Sequence, residues 1–271
     1  MIKQMKSLSL RGASVYSASQ QGAFLGAKCA FKNRQINMSA CAKGWLENKR
    51  KGVLMDFALA RQNMVEGQIR TNRVTDSFLL SAIEELPRES FVSGDLKNLA
   101  YMDEDIMVGK GRILMEPMVM ARLLEAAHVE ANDLCLVVGS ATGYEAAVLA
   151  KLAGAVVAVD NNAALHKAAT KILTELGCET VNLVSGAPEQ GQPKQGPYDV
   201  IFINGAVAEL PNTLTNQLAE GGRLVYVQAQ AKGAGRATIV RKNFDDVSPS
   251  ELFDANIPSM PEFEAKPEFN F

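Results

Sequence analysis

A short turn and an acidic residue twenty-one positions after its start are the residues best suited to bind a small cofactor. The turn is Gly139-Ser140-Ala141-Thr142-Gly143, and the acid is Asp160. Glycine lets the backbone adopt a positive φ and approach a ligand with no Cβ in the way. A carboxylate at Asp160 can accept hydrogen bonds from both hydroxyls of a ribose. With the neighbouring Asn161, these residues predict a site for an adenosine group.

The spacing between Gly139 and Asp160 fits both a nicotinamide dinucleotide and S-adenosylmethionine. Dinucleotide sites use G-x-G-x-x-G to bring a helix N-terminus onto a pyrophosphate. This turn is G-x-A-x-G and lacks the third glycine, with Ala146 and Ala147 following. A shorter turn suits a cationic sulfonium cofactor without phosphates, so we predict S-adenosylmethionine. A tight strand-to-helix turn without a ligand is the plainer alternative.

The surrounding elements predict an α/β fold with a doubly wound, mostly parallel sheet. Continuous apolar runs, each followed by a helix or turn, are typical of parallel strands covered on both faces. We predict strands over 134–138, 155–159, 181–184, 198–203 and 223–227, and helices over 144–152, 163–176 and 211–218. Residues 237–241 and 251–257 predict an antiparallel edge. Ligands bind beyond the carboxyl ends of such strands, where the turn and Asp160 fall.

A helical N-terminal addition precedes the sheet. We predict helices over 56–72, over 76–86 with Thr75 as the N-cap, and over 116–129. The predicted organisation is a helical subdomain over 55–130 and a cofactor-binding methyltransferase core over 131–271.

Residues 1–54 differ in charge from the rest of the chain. They contain ten basic residues and one acid, a formal charge of +9, which leaves −11 for the remainder of a chain of net charge −2. This composition fits an organelle transit peptide, a disordered basic tail, or a start site placed too early, with Met55 as the true start. We expect this extension to lie outside the folded domain.

The composition argues against several classes of protein. No run approaches the ~18 apolar residues of a membrane span. The four cysteines, Cys29, Cys41, Cys135 and Cys178, form no CxxC pair, and His128 and His166 lack partners at metal-ligand spacing. The net charge of −2 gives no general attraction to nucleic acid. We therefore expect no metal, membrane or nucleic-acid partner, and a reducing, cytoplasmic location.

Six segments, in order along the chain, carry a resemblance to one enzyme family. They are RQNMVEGQIRTNRVTD (61–76), PRESFV (87–92), AYMD (100–103), GYEAAVLA (143–150), PYD (197–199) and GGRLV (221–225). Over nearly all of residues 56–271 the sequence resembles the protein-L-isoaspartate O-methyltransferases, and residues 253–263 resemble a divergent bacterial branch. The resemblance implies transfer of a methyl group from S-adenosylmethionine to L-isoaspartyl carboxylates in damaged proteins or peptides.

One loop departs from that family's pattern. The family's "TIS.P" loop carries an active-site serine, and here it reads Ile113-Leu114-Met115-Glu116-Pro117. Met115 takes the serine position, where a thioether cannot donate the hydrogen bond of a hydroxyl. Val137 replaces an acid of the family, and Gly186-Ala187-Pro188 replaces its adenine-holding "GDG". The ribose-binding acid is retained, whereas the acceptor and adenine contacts differ.

The catalytic residues therefore stay unassigned, with Arg112, Tyr101 and Asp103 as weak candidates. Arg112 or Lys110 could bind an acceptor carboxylate, or each could be a solvated loop charge. Tyr101 and Asp103 could line the same cleft or form a surface pair. Alignment and desolvation can supply most of the acceleration when the acceptor is already a carboxylate. Two rival functions stay open: an S-adenosylmethionine-binding homologue without turnover, and a methyltransferase with another acceptor.

Overall fold

The computed structural model describes residues 55–244 and 246–264. The basic extension over 1–54 lies outside these residues, so its three interpretations stay predictions. No helix in the described part of the chain is both long and apolar enough to cross a bilayer.

A seven-stranded sheet forms the centre of the domain, in the order β5-β4-β3-β6-β7-β8-β9. The strands are β3 (Leu134–Val138), β4 (Ala155–Asp160), β5 (Val181–Ser185), β6 (Tyr198–Val207), β7 (Leu218–Gln228), β8 (Gly235–Asn243) and β9 (Asp246–Ala255). Strands β3 to β7 are parallel, whereas β8 pairs antiparallel with both β7 and β9. The mostly parallel sheet and its antiparallel edge are confirmed. The outermost strand, β9, is largely exposed and contains Pro249.

The register of β3 against β4 brings the two predicted cofactor elements together. Val138 lies opposite Val159, so the turn that follows β3 begins beside Asp160 at the end of β4. Helix α4 (Tyr144–Ala150) follows the turn, and α5 (Ala163–Glu175) follows β4. The predicted helix over 211–218 is wrong in extent, because α6 covers only Asn212–Thr215 and β7 already begins at Leu218.

Three helices precede the sheet, as predicted. Helix α1 (Phe57–Met64) continues through a π-helical turn (Val65–Ile69) and a 3-10 turn (Arg70–Asn72), followed by α2 (Ser77–Glu85) and α3 (Pro117–Ala127). The predicted N-cap of α2 is wrong by one residue. The Asp76 carboxylate caps the helix by accepting from the amides of Phe78 and Leu79. Thr75 instead donates its amide and hydroxyl hydrogens to Glu125 of α3.

A small antiparallel hairpin precedes α3 and was not predicted. Strand β1 (Ile106–Gly109) pairs with β2 (Arg112–Leu114), so that Ile106 lies opposite Leu114. Its strands are too short to show an alternating pattern. The Gly109-Lys110-Gly111 sequence between them is nevertheless a hairpin signal, since glycine-rich links of this length join antiparallel strands. The hairpin carries Arg112 and Ile113 towards the end of the main sheet.

One buried apolar cluster joins the N-terminal helices to the sheet. It includes Ile83 of α2, Leu124 of α3, Val148 of α4 and Val137 of β3. A second cluster on the other side of the strands includes Leu136, Ile203 and Leu214. Side chains from both sides of residue 130 thus share the first cluster, and the division of the chain there stays a prediction.

Candidate cofactor site

The turn between β3 and α4 is fixed by backbone hydrogen bonds to the neighbouring strand. The amides of Gly139 and Ser140 both donate to the carbonyl oxygen of Val159, at 2.9 and 3.2 Å. Gly139 and Gly143 have positive φ, and so does Ala141 at 48°. Left-handed backbone is uncommon for alanine, so the surrounding structure must hold it in place. The turn is therefore tied to the neighbouring strand at the end of the sheet.

The carboxylate of Asp160 lies directly beside this turn. Oδ2 accepts from the amide of Ala141 at 3.0 Å, and Oδ1 accepts from the amide of Asn162 at 2.8 Å. Oδ2 also accepts from Arg112 Nε at 2.8 Å, and the side chain is only 1% exposed. The six residues predicted to hold the cofactor, Gly139, Ser140, Ala141, Gly143, Asp160 and Asn161, thus adjoin one another, and their binding role stays a prediction.

Arg112 was considered as a solvated loop charge or as a ligand for an acceptor carboxylate. The structure shows neither arrangement: the Arg112 side chain is buried, and its guanidinium lies between the carboxylates of Asp160 and Glu262. Besides the bond to Asp160, its Nη1 and Nη2 donate to the two carboxylate oxygens of Glu262, at 3.0 and 2.9 Å. Nη2 also donates to Asn161 Oδ1 at 3.0 Å. These acids and the amide account for the three guanidinium nitrogens.

Glu262 was not singled out from the sequence, although it completes this network. Its Oε1 also accepts from Asn161 Nδ2 at 2.7 Å. Burial alone would raise the pKa of Glu262, but hydrogen bonds from Arg112 and Asn161 lower it on balance. Glu262 belongs to a short 3-10 turn, Pro261–Phe263, that lies 150 residues after Arg112 in sequence.

Met260 fills the space in front of the glycine turn. A Cβ placed on Gly139 would lie 2.5 Å from the Met260 methyl carbon, and one on Gly205 would also collide with this side chain. The glycine turn and the buried acid lie together and are compatible with an adenosyl cofactor. In this conformation, however, the close approach that Gly139 permits is used by Met260, and the Asp160 carboxylate is bonded within the protein.

Met115 is completely buried. Its carbonyl oxygen accepts from Arg88 Nη2 at 2.5 Å, and Arg88 Nε donates to the carbonyl oxygen of Ala100 at 2.6 Å. The Arg88 guanidinium also stacks over the Tyr144 ring at 4.8 Å. The buried Arg88 therefore fixes the backbone of the loop that contains Met115.

The two other catalytic candidates have separate partners. The hydroxyl of Tyr101 donates to Glu89 Oε2, and burial is the main cause that raises the pKa of Tyr101. Asp103 is exposed, and its Oδ1 accepts from the amide of Met118 near the start of α3 at 3.3 Å. The structure thus does not join Tyr101, Asp103 and Arg112 into one hydrogen-bonded group among the described residues.

Carboxyl groups with raised pKa values lie around the Met115 loop, and sequence reasoning missed them. Burial raises the pKa of Asp105 to about 6, and that of Glu116 to about 7, with Asp105, Asp103 and Glu104 adding repulsion at Glu116. The Glu116 amide donates to Asp105 Oδ1 at 2.8 Å. With a pKa of about 7, Glu116 is only partly ionised at neutral pH, so its charge is sensitive to pH in the neutral range.

Glu145 and Asn204 form a buried polar contact behind the glycine turn. Asn204 Nδ2 donates to Glu145 Oε2 at 3.2 Å and lies within bonding distance of the Ile113 and Gly139 carbonyl oxygens. Burial raises the pKa of Glu145 to about 7.

The histidines and the two cysteines of the described residues show no paired or clustered arrangement. His128 is the exposed C-cap of α3, and His166 lies half-buried on α5. Cys135 and Cys178 are buried and free. Among residues 55–244 and 246–264, no group of three histidines, cysteines or acids could hold a metal ion.

Sequence comparison places residues 59–251 on the family model described as protein-L-isoaspartate(D-aspartate) O-methyltransferase. A protein-L-isoaspartate O-methyltransferase 1 from Rhodopseudomonas palustris is 35% identical over 199 residues, which is 73% of this chain and 81% of that protein. These matches cover the helical addition as well as the sheet.

Structural comparison agrees with the sequence comparison. A solved protein-L-isoaspartate O-methyltransferase superposes with a TM-score of 0.65 at 26% identity, covering 73% of this chain and 65% of that one. This chain therefore spans about two thirds of that protein. A Plasmodium falciparum protein in complex with S-adenosyl-L-homocysteine gives a TM-score of 0.65, covering 74% of this chain and 98% of that one. At 16% identity, this second likeness concerns the fold alone.

Proposed function

Since this chain belongs to the protein-L-isoaspartate(D-aspartate) O-methyltransferase family, we propose that it is an S-adenosylmethionine-dependent methyltransferase. Its acceptor, on this proposal, is the free carboxylate of an L-isoaspartyl residue in a damaged protein or peptide. The observation that carries the proposal is the meeting of the glycine turn with Asp160 at the carboxyl ends of β3 and β4. Family membership supports both the cofactor and the acceptor.

The residues that would hold the cofactor lie on two adjacent strand ends. The amides of the Gly139–Gly143 turn and the side chains of Asp160 and Asn161 would hold it, with Gly139 permitting close approach. When bound, S-adenosylmethionine would supply a methyl group on a positively charged sulfur: an O–CH3 ester bond would form as the S–CH3 bond breaks, with the neutral thioether S-adenosyl-L-homocysteine as leaving group and no proton moved.

Because no proton is transferred, the protein needs no general base at the acceptor. Its task is to align the acceptor and to exclude water. Ile113, Leu114 and Met115 form a buried apolar wall at the end of the hairpin. Asn204 links this wall to the turn, since its Nδ2 lies within bonding distance of the Ile113 and Gly139 carbonyl oxygens. Arg88 holds the backbone of this wall through the Met115 carbonyl oxygen. A missing serine hydroxyl at position 115 is compatible with this kind of catalysis.

A second candidate is methyl transfer to an acceptor other than isoaspartate. Two observations favour it: Met115 is buried at the family's serine position, and Asp103 and Asp105 lie beside the loop, where they accept from the amides of Met118 and Glu116. An acidic surrounding repels an anionic carboxylate at neutral pH. A neutral or cationic acceptor would meet no such repulsion.

Labelled methyl transfer to a matched peptide pair tests the proposal. One peptide carries an isoaspartyl residue and the other the normal aspartyl residue in the same sequence. We expect base-labile label on the isoaspartyl peptide only. Binding of S-adenosylmethionine with no label on either peptide would reject the isoaspartyl acceptor. Two functions would then remain: methyl transfer to another acceptor, and cofactor binding without turnover. Absence of cofactor binding would reject the proposal altogether.

A further inference from the structure

Residues 258–263, which we call the strap, return from the edge of the sheet to the proposed cofactor site. The amide of Ala206 donates to the Pro258 carbonyl oxygen at 3.0 Å, and the Met260 amide donates to the Ala206 carbonyl oxygen at 3.1 Å. The amide of Ala208 donates to the Phe263 carbonyl oxygen at 3.0 Å. The strap is thus attached to the end of β6, next to β3.

Three consecutive side chains of the strap contact the proposed site. Met260 is buried against Gly139 and Gly205, and the ring of Pro261 packs against Gly111 of the hairpin. The Glu262 carboxylate accepts from both terminal nitrogens of Arg112 and from Asn161. The strap therefore presents a methyl thioether to the glycine turn and an anion to the cation that holds Asp160.

The strap and an adenosyl cofactor would use the same groups. Gly139 cannot accept a ligand at close range while the Met260 methyl carbon occupies that space. Asn161 is bonded to Glu262, and Asp160 is bonded to an arginine that Glu262 fixes from the other side. A cofactor can therefore bind here only if these contacts break, either before it arrives or as it binds.

We infer that the strap is an intramolecular competitor of the cofactor, and that S-adenosylmethionine binds only when residues 258–263 leave the site. The inference rests on the proposed function, because it assumes that the glycine turn and Asp160 form the cofactor site. The strap and the rest of the domain then exist in two arrangements, closed without cofactor and open with it. The apparent dissociation constant equals the intrinsic one divided by the fraction of open molecules.

The first test measures cofactor affinity in strap variants of the full chain by isothermal titration. Met260→Ala removes the side chain that packs against Gly139 and Gly205, and Glu262→Ala removes the hydrogen bonds from Arg112 and Asn161. Both are expected to bind S-adenosylmethionine more tightly, and the largest possible gain is the reciprocal of the parent's open fraction, about fivefold if that fraction is about one fifth. Glu264→Ala is the matched control, since Glu264 is an exposed acid two residues further on. It is expected to bind as the parent does.

The second test needs no substitution and reports on the strap itself. Hydrogen exchange of the parent is followed with and without S-adenosyl-L-homocysteine. The Met260 and Ala208 amides, which are hydrogen-bonded in the closed arrangement, are expected to exchange faster with ligand bound. The Gly139 and Ser140 amides, bonded to Val159, serve as internal controls and should not exchange faster.

The outcomes separate this inference from the proposed function. Tighter binding by the two strap variants, with faster strap exchange in the parent, supports the competition. Equal or weaker binding by the variants, or slower exchange of the strap with ligand, overturns it and leaves the cofactor assignment standing. If neither the parent nor any variant binds the cofactor, the proposed function fails as well.

Discussion

Arg112 and Asp160 form a buried ion pair at the carboxyl end of the parallel sheet. Nε of Arg112 lies 2.8 Å from Oδ2 of Asp160, and the two side chains are 2% and 1% exposed. The arginine comes from a small hairpin and the acid from a central strand, so the pair joins the hairpin to the sheet. Asp160, which the sequence predicts as a ribose ligand, thus also forms a buried ion pair within the protein.

Replacing Arg112 should destabilise the fold. Arg112→Met leaves the Asp160 carboxylate buried with two backbone donors and no cation. Loss of one partner of a buried pair costs about 3–5 kcal/mol in the free energy of unfolding. Urea denaturation of the parent and the variant measures the loss. Lys110→Met, an exposed neighbour on the same hairpin, should change stability by less than about 0.5 kcal/mol. A loss below about 1 kcal/mol for Arg112→Met would show that the pair contributes little.

Replacing Asp160 should weaken cofactor binding on the proposed function. Asp160→Ala removes a charge-assisted acceptor worth about 1.5–3 kcal/mol, which corresponds to a loss in affinity of about ten- to a hundredfold. Isothermal titration with S-adenosylmethionine, on protein shown by circular dichroism to be folded, checks this expectation. An affinity equal to that of the parent would remove Asp160 from the cofactor site.

Restoring the family's serine should cost stability, because Met115 is completely buried. Met115→Ser removes buried volume and introduces a hydroxyl, so we expect the free energy of unfolding to fall by about 2–5 kcal/mol. Met115→Leu, which nearly conserves volume, should cost under about 1.5 kcal/mol. Thermal denaturation distinguishes the two.

Because Met115→Ser is expected to lose stability, its methyl transfer activity must be measured where the variant is folded. If the site performs isoaspartyl chemistry, the variant should keep or raise methyl transfer to the isoaspartyl peptide at a temperature where it is folded. If the enzyme uses another acceptor, isoaspartyl transfer stays absent. A stable Met115→Ser protein with an unaltered melting temperature would contradict the buried position.

Glu145 should make the protein less stable as the pH rises. Its pKa in the folded state is raised by burial to about 7 from an ordinary value of 4.5, so the folded protein holds this proton more tightly than the unfolded chain does. The contribution is therefore complete below about pH 4.5 and is lost as the pH rises towards about 7. Glu145→Gln should abolish this part of the dependence.

Urea denaturation at pH 5 and pH 8 measures the effect of Glu145→Gln. The parent should lose more free energy of unfolding between pH 5 and pH 8 than the variant does. Glu130→Gln, at an exposed position, is the control for removing one negative charge. Parallel pH profiles for the parent and Glu145→Gln would refute a raised pKa.

Local patterns were sufficient to predict the sheet and the position of the proposed site. Continuous apolar runs such as Leu134–Val138 mark buried parallel strands, and the strand ends place Gly139 beside Asp160. Strand β6 was predicted too short, because the polar Asn204 and Gly205 interrupt its apolar run before Ala206. A register shift between Phe202 and Ala206 accommodates this interruption.

The contacts that close the site could not be predicted from local pattern. Arg112 and Glu262 are 150 residues apart, and neither periodicity nor spacing relates them. The sequence around Met260 contains two prolines and little apolar pattern, so it is typical of a loop. Only the three-dimensional path of the chain shows that this loop covers the glycine turn.

The edge strand β9 affects whether two molecules of this protein can associate through their sheets. An outer strand offers unpaired backbone groups to which a strand of another molecule can add. Pro249 in the middle of β9 has no N–H to offer, and Asp246, Glu251 and Asp254 make the strand acidic. At this edge of the sheet, the proline and the charged side chains therefore oppose the addition of a strand from another molecule.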